Sequence, residues 1–530
     1  MKKILITNNS KLINFNNKKY DFVYTDSPYV VENFNNAIYL DTLLDESLVE
    51  DINNIRSIGY KINIDIVDLF FPAYRNRNIN IVDIKTYFSN IFINITKLFK
   101  IIQLYPEDEI TIGISENELY DPNSTIELYR FTNIYFFAAT LYKFEKIKLI
   151  VINDNYKLSI GHLPSNNWFL KLVDLDLKVL FFAFKKKFKL VYRKRKKIYL
   201  YRKNIFIREI EPYLNDKGFS LINLPKIEFE FKNTSKDIFN KTLMKLLDKY
   251  LQKNSFNNVF KAVLYEIYDK TINYYKQKEE YTSSYILKLD KSIKTILTNT
   301  INGFDSHIFA KQLQSNGFKI INVMHGFSTG FKREKDLDFF ECQAPDMTLC
   351  FNAQEKNFYK KLVQDAFLKP ISSVQEAKKK RLKFFKRIYL KRKLKIRKDI
   401  NIFYASNLYP LNNVTTYGWR QPDKLIYEYE KKIIKILSGT NKSAIYKHYP
   451  MRAFVDPNPL IKFAENYNNI KVINERYDFR FISSIGDIFI LGNIGSSSTI
   501  TWMLGENKPI IYLYTNKYRF INPEGKNILD

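Results

Sequence analysis

Between Gly486 and Tyr514 the chain reads as strand, small-residue turn, helix and strand, an order that commits this part to a βαβ unit. Gly486-Asp-Ile-Phe-Ile-Leu has the apolar continuity of a buried strand, and Pro509-Ile-Ile-Tyr-Leu-Tyr repeats it. Between them lie Gly495, Ser496, Ser497, Ser498 and Thr499, followed by the helix-compatible run Ile500 to Leu504. A helix start carries unsatisfied N–H groups and a partial positive charge, which suits a phosphate. Ser and Thr are also ordinary N-caps, but capping accounts for only one of the four hydroxyls.

The same alternation recurs along most of the chain. Lys3-Ile-Leu-Ile-Thr, Asp21-Phe-Val-Tyr, Ala37-Ile-Tyr-Leu, Ile110-Thr-Ile-Gly-Ile and Lys148-Leu-Ile-Val-Ile read as strands. Segments 88–101 and 126–144 read as helices. Strands alternating with helices predict an α/β fold with crossover connections. From about 155 to 300 the pattern shifts to basic and then mainly helical sequence, which predicts an insertion. The alternation resumes at 305–313, a helix ended by Gly317, with strands at 319–324, 347–351 and 401–406. At 530 residues, more than one core is expected. The expected division is an N-terminal α/β domain over 1–365 with its insertion at about 155–300, a basic linker over 366–400, and a C-terminal α/β domain over 401–530. The last of these stops soon after its final strand, shorter than a full domain of this kind.

The net charge of +29 is local. Eleven Lys and Arg and no acid lie in 185–203, and thirteen with no acid lie in 378–398. Both windows interleave aliphatic and aromatic residues, a pattern that suits amphipathic helices on an anionic bilayer. A solvated helix face explains either window as well, and nucleic acid is the competing partner, although no nucleic-acid motif accompanies them. The start of the chain lacks a signal-peptide pattern, no apolar stretch reaches the length of a membrane span, and two cysteines make no disulfide framework. A cytoplasmic protein, peripheral on the membrane's inner face at most, is the expectation.

Two of the four histidines follow apolar runs, where parallel strands place functional groups. His325 precedes Gly326, which allows close approach of a ligand. His448 has Lys447 before it and Arg452 shortly after, so positive charge surrounds it and a phosphate-facing role is favoured over a base. Hydrogen-bonded histidines at strand ends are the plain alternative. No metal-ligand cluster, G-x-x-x-x-G-K-[ST] loop or G-x-S-x-G elbow occurs, so no metal or other cofactor is expected.

Taken in order, His325-Gly326, Lys447-His448 with Arg452, and Gly495-Ser-Ser-Ser-Thr499 before Lys508-Pro-Ile-Ile resemble the GT-B glycosyltransferase-like enzymes of bacterial surface polysaccharide synthesis. These include the capsule and lipopolysaccharide Kdo- and sialic-acid-type transferases and the CDP-glycerol glycerophosphotransferases. The resemblance covers roughly 305–515. One departure is that Tyr449 stands between His448 and Pro450, where the family has His followed directly by Pro. The resemblance implies two Rossmann-like domains facing across a cleft, with the nucleotide held by the C-terminal one. It implies that Lys447, His448, Arg452, Gly495, Ser496, Ser497, Ser498 and Thr499 serve the donor phosphate without a metal. It also implies an acidic base in the first domain, for which Glu116, just past the strand at 110–114, is the candidate and His325 the rival. A CMP-activated acidic sugar as donor and a glycan or lipid-linked acceptor would follow. Transfer of a polyol phosphate from a CDP-polyol uses the same elements and stays open. So does a non-catalytic basic scaffold on a membrane or nucleic acid, which leaves the ordered motifs without a role.

Overall fold

A computed structural model describes residues 1–13, 19–44, 48–74, 88–116, 134–153, 196–203, 205–225, 229–230, 240–299, 301, 304–323, 344–350, 357, 368–370, 380–396, 401–406, 423–448, 458–473, 479–492, 499, 503 and 506–513. The protein is α/β, built on three sheets, and every strand pairing recorded among the described residues is parallel.

The first sheet contains β1 (Lys3–Ile6), β2 (Phe22–Thr25), β3 (Ala37–Tyr39), β4 (Glu109–Ser115) and β5 (Ile147–Ile152), in the order β3-β2-β1-β4-β5. All five were legible as short apolar runs. Their helices are α1 (Pro28–Asn33), α2 (Leu48–Phe70), α3 (Ser89–Leu104) and α4 (Ile134–Tyr142). Ser27 caps α1 by accepting from the Val30 amide at 3.4 Å, and Pro28 at the first helical position needs no amide partner.

The second sheet contains β6 (Lys196–Leu200), β7 (Phe219–Asn223), β8 (Thr295–Asn299), β9 (Lys319–Val323), β10 (Met347–Cys350) and β11 (Leu368–Pro370), in the order β11-β10-β9-β8-β6-β7. The stretch expected to be a helical insertion therefore supplies α5 (Asn240–Tyr250), the long α6 (Ser255–Leu287) and three strands of this sheet. The end of the first basic window is β6, not an amphipathic helix. Lys196 and Lys197 are exposed, whereas Ile198, Tyr199 and Leu200 are buried between β7 and β8. Next comes α7 (Phe304–Ser315), and Gly317 beyond its end adopts φ +78°, a conformation that suits glycine at a helix C-terminus.

The third sheet contains β12 (Asn401–Ala405), β13 (Ser443–Lys447), β14 (Ile470–Ile473), β15 (Ile488–Gly492) and β16 (Ile510–Leu513), in the order β14-β13-β12-β15-β16. Its helices are α8 (Lys380–Lys393) before it, then α9 (Asp423–Ser438) and α10 (Pro459–Glu465). The first and third sheets share one winding order, with their first strand central and the fourth on its far side. That is the doubly wound arrangement of Rossmann-like domains. The second sheet has its first strand between the second and third, the other common doubly wound order.

The chain forms two compact units. One comprises Met1–His162, Phe231–Tyr274 and Ser406–Asn474; the other comprises Leu163–Glu230, Tyr275–Ala405 and Glu475–Asp530. No helix among the described residues is long and apolar enough to cross a membrane.

Part of the second basic window is a docked helix. In α8 Leu390 is buried, as are Leu394 and Ile396 just beyond it, while Arg392 and Lys393 face solvent. Arg387 donates to Asp487 at 2.5 Å, and the Asn401 amide donates to the other carboxylate oxygen at 3.0 Å. Burial alone would raise the Asp487 pKa, but the Asn401 amide and the Arg387 guanidinium together hold it below the usual carboxylate range. Gly486 before β15 admits no side chain, since a Cβ there would lie 2.7 Å from the Phe403 Cβ. Asp487→Asn should cost about 1.5–3 kcal/mol at neutral pH, measured by urea unfolding. A depressed carboxylate pKa stabilises the fold above the unfolded value of about 3.9 and loses that contribution as pH falls through the folded value. Below about pH 4 the wild type should therefore lose stability more steeply than the variant.

Candidate functional site

In the third sheet β13 carries Lys447 as its last residue. All five β13 residues are buried, Lys447 to 5% exposure, because β12 and β14 flank the strand on both sides. The Lys447 Nζ donates to the His448 carbonyl at 2.8 Å, and His448 is half-buried. Such a cation at the carboxyl edge of a parallel sheet can meet an anionic ligand with little loss of side-chain freedom.

Three residues that the sequence reading did not single out hold this edge together. Glu430 on α9 is fully buried. Ser406, the first residue after β12, donates its hydroxyl to the Glu430 carboxylate, 2.9 Å from each oxygen. Tyr446, beside Lys447, donates to the same carboxylate at 3.0 Å. Burial first, and the Glu430 charge second, push the Tyr446 phenol well above its usual pKa, so it remains a donor. The Ser406 amide donates to the Lys447 carbonyl at 2.9 Å, tying the ends of β12 and β13. Asn458 caps α10 by accepting from the Leu460 amide at 2.9 Å. Glu430 had a legible signal: it lies on the apolar stripe of Ile426, Ile433, Ile434 and Leu437, where a lone acid needs a buried reason.

Along the same sheet β15 ends at Gly492, just before the Gly-Ser-Ser-Ser-Thr run. Thr499 is helical and half-buried; Gly495, Ser496, Ser497 and Ser498 lie outside the described residues, as do Arg452, His325 and Gly326. Lys508, part of the motif pattern, is engaged with the main chain. Its Nζ donates to the Ser484 carbonyl at 3.2 Å and to that of Gly486, so it secures the turn entering β15.

In the first sheet Glu116 is exposed immediately beyond β4, which pairs with the central β1. Around this carboxyl edge the turns are stitched by buried polar side chains. The Asn8 carbonyl oxygen accepts from the Thr25 hydroxyl at 3.0 Å and from the Asp26 amide at 2.8 Å. Lys97 of α3, fully buried, reaches Asp26 at 3.1 Å and Asp41 at 2.6 Å. Burial opposes the Lys97 charge, yet the two carboxylates raise its pKa well above the usual value and keep it ionised. Burial raises Asp26, with Lys97 pulling it back. Nothing in the sequence marked Lys97, since a helical lysine is ordinarily solvated.

No protein-family model matches the chain, and no curated protein matches it. Solved structures similar to it include a glycosyltransferase from Rickettsia africae ESF-5, at 12% identity over 61% of this chain and 79% of that one, with a TM-score of 0.33. A UDP-N-acetylglucosamine 2-epimerase from Rickettsia bellii is 11% identical over 60% and 78%, with a TM-score of 0.35. MurG of Acinetobacter baumannii is 11% identical over 63% and 80%, with a TM-score of 0.30. None of the three carries the functional assignment, which rests on this chain's own residues.

Lys97→Met removes the only cation printed between two buried carboxylates and should cost about 3–5 kcal/mol in chemical denaturation, because an uncompensated buried charge remains. A loss below 1 kcal/mol would mean that the triad does not hold this edge together.

Proposed function

We propose that the protein is a GT-B-type glycosyltransferase that moves a sugar from a nucleotide-activated donor to a glycan or lipid-linked acceptor. The observation that carries this reading is the buried Lys447 and adjoining His448 at the carboxyl edge of a Rossmann-wound sheet whose β15 leads directly into Gly-Ser-Ser-Ser-Thr. Two sheets with one winding order agree with the two Rossmann-like domains that this class uses.

In this mechanism Lys447, His448, Arg452 and the hydroxyls and N–H groups of Gly495, Ser496, Ser497, Ser498 and Thr499 hold the donor phosphate as it becomes the leaving group. A fixed ammonium and oriented donors stabilise the developing negative charge without a divalent metal. Glu430, through Ser406 and Tyr446, positions the strand ends that present Lys447. Glu116 accepts the proton of the acceptor hydroxyl, with His325 as the rival base and Gly326 leaving room beside it. A CMP-activated acidic sugar is the donor that the motif order favours, within surface polysaccharide synthesis, and a CDP-polyol is the second reading. The exposed basic residues of α8, with the window at 185–203, would hold the enzyme at an anionic membrane surface on the cytoplasmic side.

Turnover with a nucleotide-sugar donor should fall by about 100-fold or more in Ser497→Ala/Ser498→Ala, the scale of losing phosphate-stabilising donors. Unchanged turnover would remove the phosphate role. Single-turnover rates of Glu116→Gln and His325→Ala, with circular dichroism to check folding, assign the base to whichever variant loses the chemical step.

A further inference from the structure

The second sheet has a carboxyl-edge cluster of its own, which the function proposed above does not use. Its winding reverses between β6 and β8, because β6 lies between β8 and β7. Ligands of open α/β sheets settle beyond the strand ends at such a reversal. At this point β6 delivers Tyr201 and Arg202, and the Tyr201 amide donates to the Leu297 carbonyl of β8 at 3.0 Å, fixing the exit of the strand. β8 leads to α7, whose first turn contains Asp305.

Lys278 reaches the same place from α6. The charges acting on it are Asp305, which attracts, and Arg202, which repels; the same two act on the Tyr201 phenol. Two cations therefore share one carboxylate at a half-buried sheet edge. Burial first, and Arg202 with it, press the Lys278 amine below its usual pKa even with Asp305 present. Aromatic rings wall the cluster. The Lys278 Nζ stands 4.5 Å over the Phe229 ring, Phe229 lies against Tyr281 at 5.4 Å, and Tyr275 meets Phe304 edge-on at 4.7 Å. Tyr201 is backed by Phe309 at 4.6 Å. A few polar groups converging among aromatic side chains are the usual make-up of a small-ligand site. A bound oxyanion would relieve the repulsion between Arg202 and Lys278, and the rings offer an apolar wall to a pyranose.

We propose that Arg202 and Lys278, with the aromatic wall of Tyr201, Tyr275 and Phe229, form a binding site for an anionic sugar, separate from the nucleotide site. The anionic group is a phosphate monoester or a carboxylate carried on a pyranose ring. Asp305 occupies the cations when the site is empty and competes with the ligand.

The test is equilibrium titration of the full chain with glucose 6-phosphate, glucuronate and uncharged glucose. Saturable binding of at least one anion, with none of glucose, is expected, and the tighter anion identifies the preferred group. Lys278→Met, which keeps the aliphatic stem on Phe229, and Arg202→Gln should each weaken that binding by about tenfold or more, the equivalent of one charge-assisted contact. Asp305→Asn should tighten it, a change that misfolding cannot produce. Lys447→Met should leave it intact, which separates this site from the nucleotide site. Absence of binding to both anions would overturn the proposal. So would equal binding by wild type, Lys278→Met and Arg202→Gln, or loss of binding in Lys447→Met alone.

Discussion

Parallel pairing between the first and fourth strands of a doubly wound sheet is the constraint on which the rest of this molecule depends. It appears as β1 with β4 in the first sheet and as β12 with β15 in the third. Parallel strands bring their carboxyl ends to one edge, and the residues after the central pair must then turn in opposite directions. Whatever follows those strands is concentrated in one place: Thr7-Asn8-Asn9 and Glu116 in the first sheet, Ser406 and the Ser/Thr run in the third. Such an edge is crowded with polar groups taken out of water, and each needs a partner.

The two Rossmann-wound sheets meet that need differently. The first uses charge, with Lys97 between Asp26 and Asp41, and amide oxygens such as that of Asn8 to bind adjacent turns. The third uses a carboxylate that receives hydroxyls, with Glu430 gathering Ser406 and Tyr446. This arrangement leaves the Lys447 ammonium on a backbone carbonyl of its own neighbour, a weaker hold than a carboxylate and one that an arriving phosphate can replace. The difference follows the proposed division of labour, in which one edge is rigid around an acidic residue and the other is poised for an anion.

Much of this was readable in advance, for a physical reason. β1 to β5 are short apolar runs between polar segments, and burial on both faces demands that composition. The strand ends carrying Lys447 and the Ser/Thr run were legible for the same reason. β6 was hidden because its apolar residues Ile198, Tyr199 and Leu200 close a run of lysines and arginines, and the charge masked the strand. β7, Phe219–Asn223, is half-buried and too mixed to show a period. Helix α2 is rich in Asn and Asp, weak helix formers, and is held by buried Ile55, Ile62 and Ile66. The Lys97 triad could not be read at all: Asp26 lies 71 residues away, and only the fold brings the pair together.

The account turns on whether the carboxyl edge of the third sheet holds a nucleotide phosphate, and the most direct measurement is thermal unfolding with CMP, CDP, UDP, GDP and ADP, each with and without magnesium. A ligand that binds only the folded state adds about 2.7 kcal/mol of stability at 100 times its dissociation constant. A clear rise with CMP, independent of magnesium and lost in Lys447→Met, is the predicted result. No rise with any of the five nucleotides, or a rise that Lys447→Met retains in full, would contradict the assignment of this edge.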